Sequence, residues 1–249
     1  MNIQPLFIST FCCIDHPLNQ ALNALATRTS HVEILSDGLH DLLLDSTLCR
    51  EYPFSYSVHA PCGDVNIAAV NERMRSASVS VLGDVLAVSA RIGAEHLVVH
   101  PGYAPYEQVR DQSFLSLIRS LDDLARLQEE HGVRVCVENM GSWQCCHFRT
   151  PAFLPELSTR DLGFTLDCGH ARLTGNLDAF LAAGGYCHVH LHDNDGTSDD
   201  HIACGSGAID FSGLWKKLPL HAALVIETRE LASADQSIRY LSPIMNGEQ

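Results

Sequence analysis

The stretch HLVVHPGYAPYEQVRDQSFLSLIRSLDDLARLQEEHGVRVCVEN, residues 96–139, contains the unit from which the fold is built. It begins and ends on short apolar runs rich in valine, and each run finishes on a polar residue, His100 or Glu138. Between them Phe114, Leu117, Ile118, Leu121 and Leu124 share one face of a helix over 106–130, and Gly132 stops it. A strand, a helix and a second strand in that order form a parallel crossover, because parallel neighbours need a connection of helix length.

The same alternation extends in both directions. Strands are expected over 6–10, 31–35, 54–59, 163–167, 188–192 and 224–227 as well, and helices over 18–29, 70–91, 177–183, 211–218 and 232–241. The pattern is least defined around the second helix and across 140–155. No composition break or low-complexity segment divides the 249 residues. An α/β fold of eight strand–helix alternations on this length predicts a single (β/α)8 TIM barrel over 1–249. An open doubly wound sheet usually has a glycine-rich phosphate turn after its first strand. Here Ser9-Thr10-Phe11-Cys12-Cys13 occupies that place.

Composition narrows the partners. Hydrophobic residues are 46% and charged residues 18%, enough apolar material for a large core. The formal net charge of −14 opposes nucleic acid and anionic membrane surfaces, leaving a small polar molecule as the expected substrate. No apolar run is long enough to span a bilayer, and MNIQPLFISTFCC (1–13) lacks the parts of a signal peptide. The ten cysteines are scattered through apolar runs, as buried thiols in a reducing cytoplasm would be. Neither Cys12-Cys13 nor Cys145-Cys146 has zinc-ribbon spacing. Cys62 and Cys168 lie beside better motifs. Homo-oligomerisation is compatible with all of this.

The strand ends carry the chemistry. The third strand ends at His59, the fourth at His100, the fifth at Glu138, and the sixth runs into Asp167-Cys168-Gly169-His170. The seventh carries His190 and His192-Asp193, its loop adds Asp199-Asp200-His201, and the eighth ends at Glu227. Polar side chains inside a strand buried on both faces are costly, whereas at the C-terminal mouth of a barrel they converge on one centre. Imidazole and carboxylate suit zinc foremost, and also manganese or cobalt. Singly, each residue has a plainer reading: Asp167 as a helix cap, Glu227 as a partner of Arg229, Asp199 and Asp200 as a solvated loop. Six consecutive strands ending in His, Asp or Glu point instead to a shared metal site.

These segments resemble the xylose-isomerase-like TIM barrels, a superfamily joining sugar-phosphate isomerases and epimerases with endonuclease IV. The resemblance rests on His59-Ala60-Pro61, Val98-Val99-His100-Pro101-Gly102, Val137-Glu138-Asn139, Leu166-Asp167-Cys168-Gly169-His170 and Glu227-Thr228. Its most specific part is His190-Leu191-His192-Asp193-Asn194-Asp195-Gly196, with Asp199-Asp200-His201 and Gly205-Ser206-Gly207-Ala208-Ile209-Asp210 following. The resemblance implies that Glu138, Asp167, His190 and Glu227 hold one divalent metal. In the endonuclease branch it further implies a flanking metal on His59 and His100, and another on His170, Asp199 and His201. One to three ions are therefore expected, although the interval from His190 to Asp199 is shorter than that branch implies.

Two reactions follow from this ligand set. In the first, a sugar, keto-polyol or sugar phosphate is isomerised or epimerised. By resemblance Glu138 and Glu227 trade a proton beside a metal-polarised carbonyl and His170 holds a substrate oxygen. Arg149, Arg172 or Arg229 would serve a phosphate if one is present. The second is metal-assisted hydrolysis of a phosphoester, favoured by the number of ligands. The acidic chain and short mouth loops argue against a DNA-repair nuclease. A purely structural metal, normally closed by four ligands and often by cysteine, fits less well.

Overall fold

A computed structural model describes residues 5–248. The N-terminal segment reading therefore rests partly on residues outside it. Eight parallel strands close into a barrel in sequence order: β1 (Leu6–Ser9), β2 (His31–Leu35), β3 (Ser55–His59), β4 (His96–Val99), β5 (Arg134–Glu138), β6 (Gly163–Asp167), β7 (His188–Leu191) and β8 (Ala223–Ile226). Closure is made by β1 on β8, where Leu6, Phe7 and Ile8 pair with Leu224, Val225 and Ile226. The expected strands are all present, each within a residue or two of its anticipated ends.

Helices α1 (Leu18–Leu25), α2 (Glu72–Ile92), α3 (Arg110–His131), α4 (Leu154–Ser158), α5 (Cys168–Leu173), α6 (Leu177–Ala183), α7 (Phe211–Trp215) and α8 (Leu231–Met245) surround the barrel. The two longest obey the sequence signals. Asn71 caps α2 by accepting the Arg73 N–H at 3.0 Å, and α3 stops at Gly132 in the left-handed region, φ 69°. Between β2 and β3 the alternation fails. Two 3-10 turns, Gly38–His40 and Thr47–Glu51, replace an α-helix. Asp37, Asp41 and Asp45 each accept a nearby backbone N–H there, competing with helical bonding.

The main core lies between barrel wall and helices, where Leu22, Leu82, Val85, Leu117 and Leu121 are fully covered. The barrel interior differs. A small apolar layer of Phe7, Ala223 and Val225 shares it with buried Glu33, Ser57, Thr165, His188 and His190. No described helix is long and apolar enough to cross a membrane.

Candidate metal centre

Period-2 alternation decides which side chains enter the barrel. Along β7 and the residue after it, His188, His190 and His192 fall on one face, and all three are buried. Glu138 ends β5 and Asp167 ends β6. Asn139 locks these two ends together: its Oδ1 accepts the Asp167 N–H at 2.8 Å and its Nδ2 donates to the Asp167 carbonyl at 3.0 Å. Asp167 also caps α5, accepting the His170 N–H at 2.6 Å. The capping role and the inward carboxylate belong to one residue.

The loop after β7 is folded by Asp193. Its carboxylate accepts N–H groups from Asn194, Gly205, Gly207 and Ile209 at 2.9–3.1 Å. A backbone bridge from Asp193 to Ile202 completes the frame and brings Asp199 and His201 over the mouth. Asp199 is thus no solvated loop residue. Its Oδ2 lies 3.0 Å from His201 Nε2 and 3.4 Å from His170 Nε2. Asp200 takes no part in this cluster and instead accepts from the Ser198 hydroxyl.

All nine anticipated residues meet at the C-terminal mouth. At its centre His190 Nδ1 faces Glu227 Oε2 at 3.3 Å, Glu138 Oε1 at 3.6 Å and Asp167 Oδ2 at 3.6 Å. On one side His59 Nε2 and His100 Nε2 each lie 3.3 Å from Glu138 Oε2. On the other stand His170, Asp199 and His201. Glu227 faces His190 rather than the exposed Arg229, whose contact is with the Asp199 carbonyl.

The donor set fits a metal. Neither ring nitrogen of the buried His190 makes a hydrogen bond, although three carboxylates surround Nδ1 and Glu33 faces Nε2. Ligand atoms about 2.1 Å from a tetrahedral ion lie about 3.4 Å from one another, the spacing seen here. The histidines are also turned for ligation. His59 and His201 place Nδ1 at 2.7 and 2.9 Å from the carbonyls of Ala60 and Glu227, and His170 places its own at 3.0 Å from that of Asn139. Each thereby directs Nε2 at the mouth. His190 stands the opposite way round, with Nε2 at ion-pair distance, 3.0 Å, from Glu33 Oε1 but without hydrogen-bond geometry.

Charges within the cluster are mutually dependent. Burial pushes Glu138 up, but His190 and His100 outweigh it and hold the carboxyl well below the usual range. Burial is likewise overcome at Asp167 by His170 and His192. Burial lowers His190, yet Glu227, Glu33 and Glu138 raise it well above its ordinary value. His201, opposed by burial and raised chiefly by Asp199, reaches about 9. A divalent cation would take over the charge that these imidazoliums supply.

Three contributors escaped the sequence reading. Glu33, fully buried on β2, contacts His190 and also His188 Nε2 at 2.9 Å. Its signal was a carboxylate inside the apolar run His31–Leu35. His192, part of the seventh-strand motif but not among the expected ligands, puts Nε2 3.1 Å from both oxygens of Asp167 and stacks on His201 at 3.7 Å. Trp143, edge-on to His170 at 5.5 Å, forms part of the cavity rim with Phe11, Leu35 and Met140. The cavity holds about 130 Å³, and neither lysine nor arginine is among its lining residues. The three arginines suggested for phosphate lie elsewhere. Arg149 is engaged with the carbonyls of Gly141 and Ser142, while Arg172 and Arg229 are exposed outside the lining.

Fold and site together define a parallel barrel with a cluster of His and carboxylate side chains at its C-terminal mouth. Residues 46–244 match the family described as xylose isomerase-like TIM barrel, and the chain belongs to that family. It is 35% identical over 231 residues, 91% of this chain and 92% of the other, to the uncharacterised protein MJ1614 of Methanocaldococcus jannaschii. A probable endonuclease 4 of Mycobacterium ulcerans is 30% identical over 61% of this chain and 64% of its own length. Among solved structures, a D-tagatose 3-epimerase-like protein superposes with TM-score 0.89 at 27% identity, covering 97% of both chains. TTHB071 of Thermus thermophilus, soaked with ZnCl2, gives 0.79 at 26% identity over 98% of each.

Proposed function

We propose that this chain is a divalent-metal-dependent isomerase or epimerase of a small, unphosphorylated sugar or keto-polyol. The observation that carries this reading is the mouth itself: a small cavity with two glutamates meeting at one imidazole nitrogen, and neither lysine nor arginine among its described lining residues. A phosphate would find no lysine or arginine to pair with in that lining, whereas a neutral polyol needs only hydrogen bonds and an apolar face. Trp143 offers such a face. Glu138, Asp167, His190 and Glu227 would hold the metal, which when bound polarises a carbonyl and its neighbouring hydroxyl. Glu138 and Glu227 would exchange the proton on the adjacent carbon, and His170 would hydrogen-bond a substrate oxygen. Zinc suits this ligand set first, with manganese or cobalt as alternatives.

A second reading has its own support. The groups His59–His100–Glu138 and His170–Asp199–His201 each bring three ligand atoms within 4.8 Å of one another. With all positions filled, the centre would suit in-line hydrolysis of a small phosphodiester. One experiment separates the two. Metal-loaded protein is incubated in D2O with a panel of ketoses and aldoses, and in parallel with bis(p-nitrophenyl) phosphate. Deuterium entering at the carbon beside the carbonyl, with about one metal bound at the mouth, is expected. Release of p-nitrophenol, two or three metals bound at the mouth and no deuterium exchange would replace the proposal by hydrolysis.

A further inference from the structure

The opposite end of the barrel holds a second cluster of donors. His96 opens β4, Cys136 lies in the middle of β5, and Cys187 immediately precedes β7. Their donor atoms all lie within 4.8 Å of one another. The sulfurs of Cys136 and Cys187 are 3.3 Å apart and neither residue is in a disulfide. His96 Nδ1 is shielded from solvent and has no hydrogen-bond partner.

The sequence makes room for this meeting. Cys136 and Cys187 approach each other across β6, whose first residue is Gly163. A Cβ at Gly163 would lie 2.7 Å from the Cys136 sulfur and 2.9 Å from that of Cys187. Any side chain there would push the sulfurs apart. Glycine at the start of a strand weakens the strand and is found where another group must approach the backbone closely. Here the approaching groups are two thiols.

We propose that His96, Cys136 and Cys187 form a second, independent metal site at the base of the barrel, taking one zinc ion with its fourth position open. The donor chemistry is distinct from that of the mouth. Two sulfurs and an imidazole select a thiophilic cation, whereas the carboxylate-rich mouth also accommodates manganese or cobalt. The dimensions agree: Zn–S bonds of about 2.3 Å in a tetrahedron place the sulfurs about 3.8 Å apart, so they need part by only about 0.5 Å. Both thiols would give up their protons on binding the metal, and His96 would ligate through a neutral ring nitrogen. Because Cys187 and His96 are only partly buried, an ion would reach the site from the base without passing through the mouth.

Cobalt(II) is the probe, since thiolate ligation gives an intense near-ultraviolet charge-transfer band that oxygen and nitrogen ligands do not. The full chain is stripped of metal, kept reduced and titrated with CoCl2. The band is expected in the natural protein and in Asp167→Ala, which disables the mouth. It should also survive in Cys62→Ser, which removes the thiol lining the mouth cavity. It should fall at least tenfold in Cys187→Ser. His96→Ala keeps both sulfurs and should weaken cobalt binding about tenfold while the band persists at saturation. Absence of the band in the natural protein, its loss in Cys62→Ser, its full retention in Cys187→Ser, or unchanged cobalt affinity in His96→Ala would overturn the proposal.

Discussion

Glu33→Gln tests whether the mouth depends on a residue that does not line it. Glu33 has no solvent exposure. One oxygen lies 3.0 Å from His190 Nε2, and the other lies 2.9 Å from both His188 Nε2 and the Ser57 hydroxyl. The carboxylate therefore favours a proton on His190 Nε2, leaving Nδ1 free to ligate beside Glu138, Asp167 and Glu227. Burial pushes Glu33 up, but His188 and His190 hold it well below the usual carboxylate range, so the group is ionised where it meets them. Glutamine keeps the size and one acceptor but replaces the other with a donor. Either way round, the amide removes the negative charge that favours the Nε2 proton, and with its nitrogen facing His190 the proton moves to Nδ1, the nitrogen facing the mouth. Partners of metal-bound histidines typically contribute 10–100-fold to affinity. The expected loss is therefore about 1.4–2.8 kcal/mol of metal binding. Competition for zinc with a chromophoric chelator measures it, with far-UV circular dichroism to confirm the fold. A folded Glu33→Gln protein that binds zinc within about twofold of the natural chain would refute this account of how His190 is oriented.

Asp167→Ala should abolish metal binding at the centre while circular dichroism still reports a barrel; normal zinc content in the variant would mean the centre lies elsewhere. The same change removes the α5 cap, at a cost of about 1 kcal/mol. Gly169→Ala should displace His192 from Asp167, because a Cβ there would come within 2.0 Å of the His192 ring. The variant is expected to lose about tenfold in zinc affinity, in the range for partners of a ligand, and unchanged affinity would count against it. The metal-free protein should lose stability as pH rises. His201 is raised from 6.5 to about 9, so its contribution is complete below 6.5 and disappears through about 9. That contribution is on the order of 3 kcal/mol at most. Zinc should act in the opposite sense, its apparent affinity growing over the same window as the imidazole proton leaves. Melting curves with and without zinc from pH 6 to 10 that run parallel would contradict the linkage.

What the sequence disclosed, and what it hid, follows from the range of each interaction. The outer helices were legible because burial repeats along one face: Leu117, Leu121 and Leu124 announce α3, and Gly132 ends it. The connection between β2 and β3 was not, since its aspartates act locally through backbone bonds that no periodicity displays. At the mouth, strand-end position pointed to His59, His100, Glu138, Asp167 and Glu227, because a barrel gathers the last residues of its strands in one place, while the set of nine rested on the family resemblance. It could not say which carboxylates each histidine faces. His192 and His190 share a face and a motif, yet one addresses Asp167 and the other lies where three carboxylates meet.

Glu33 and Cys136 illustrate the deeper difficulty. Each sits in the middle of an apolar strand, and its partners lie on strands far away in sequence: His188 and His190 for Glu33, His96 and Cys187 for Cys136. Their meaning is fixed by the stagger of a closed barrel, which sets which interior residues share a layer. The interior that results is polar almost from end to end. His96 packs edge-on to His188 at 5.6 Å, His188 meets Glu33, and Glu33 meets His190. A barrel filled only with valine and leucine would gain more from burial, so this thread of paired polar groups carries a stability cost. Its expected use is orientation: beneath the mouth the Glu33 carboxylate faces His190 Nε2 at 3.0 Å, and that charge favours a proton there and a free Nδ1 above.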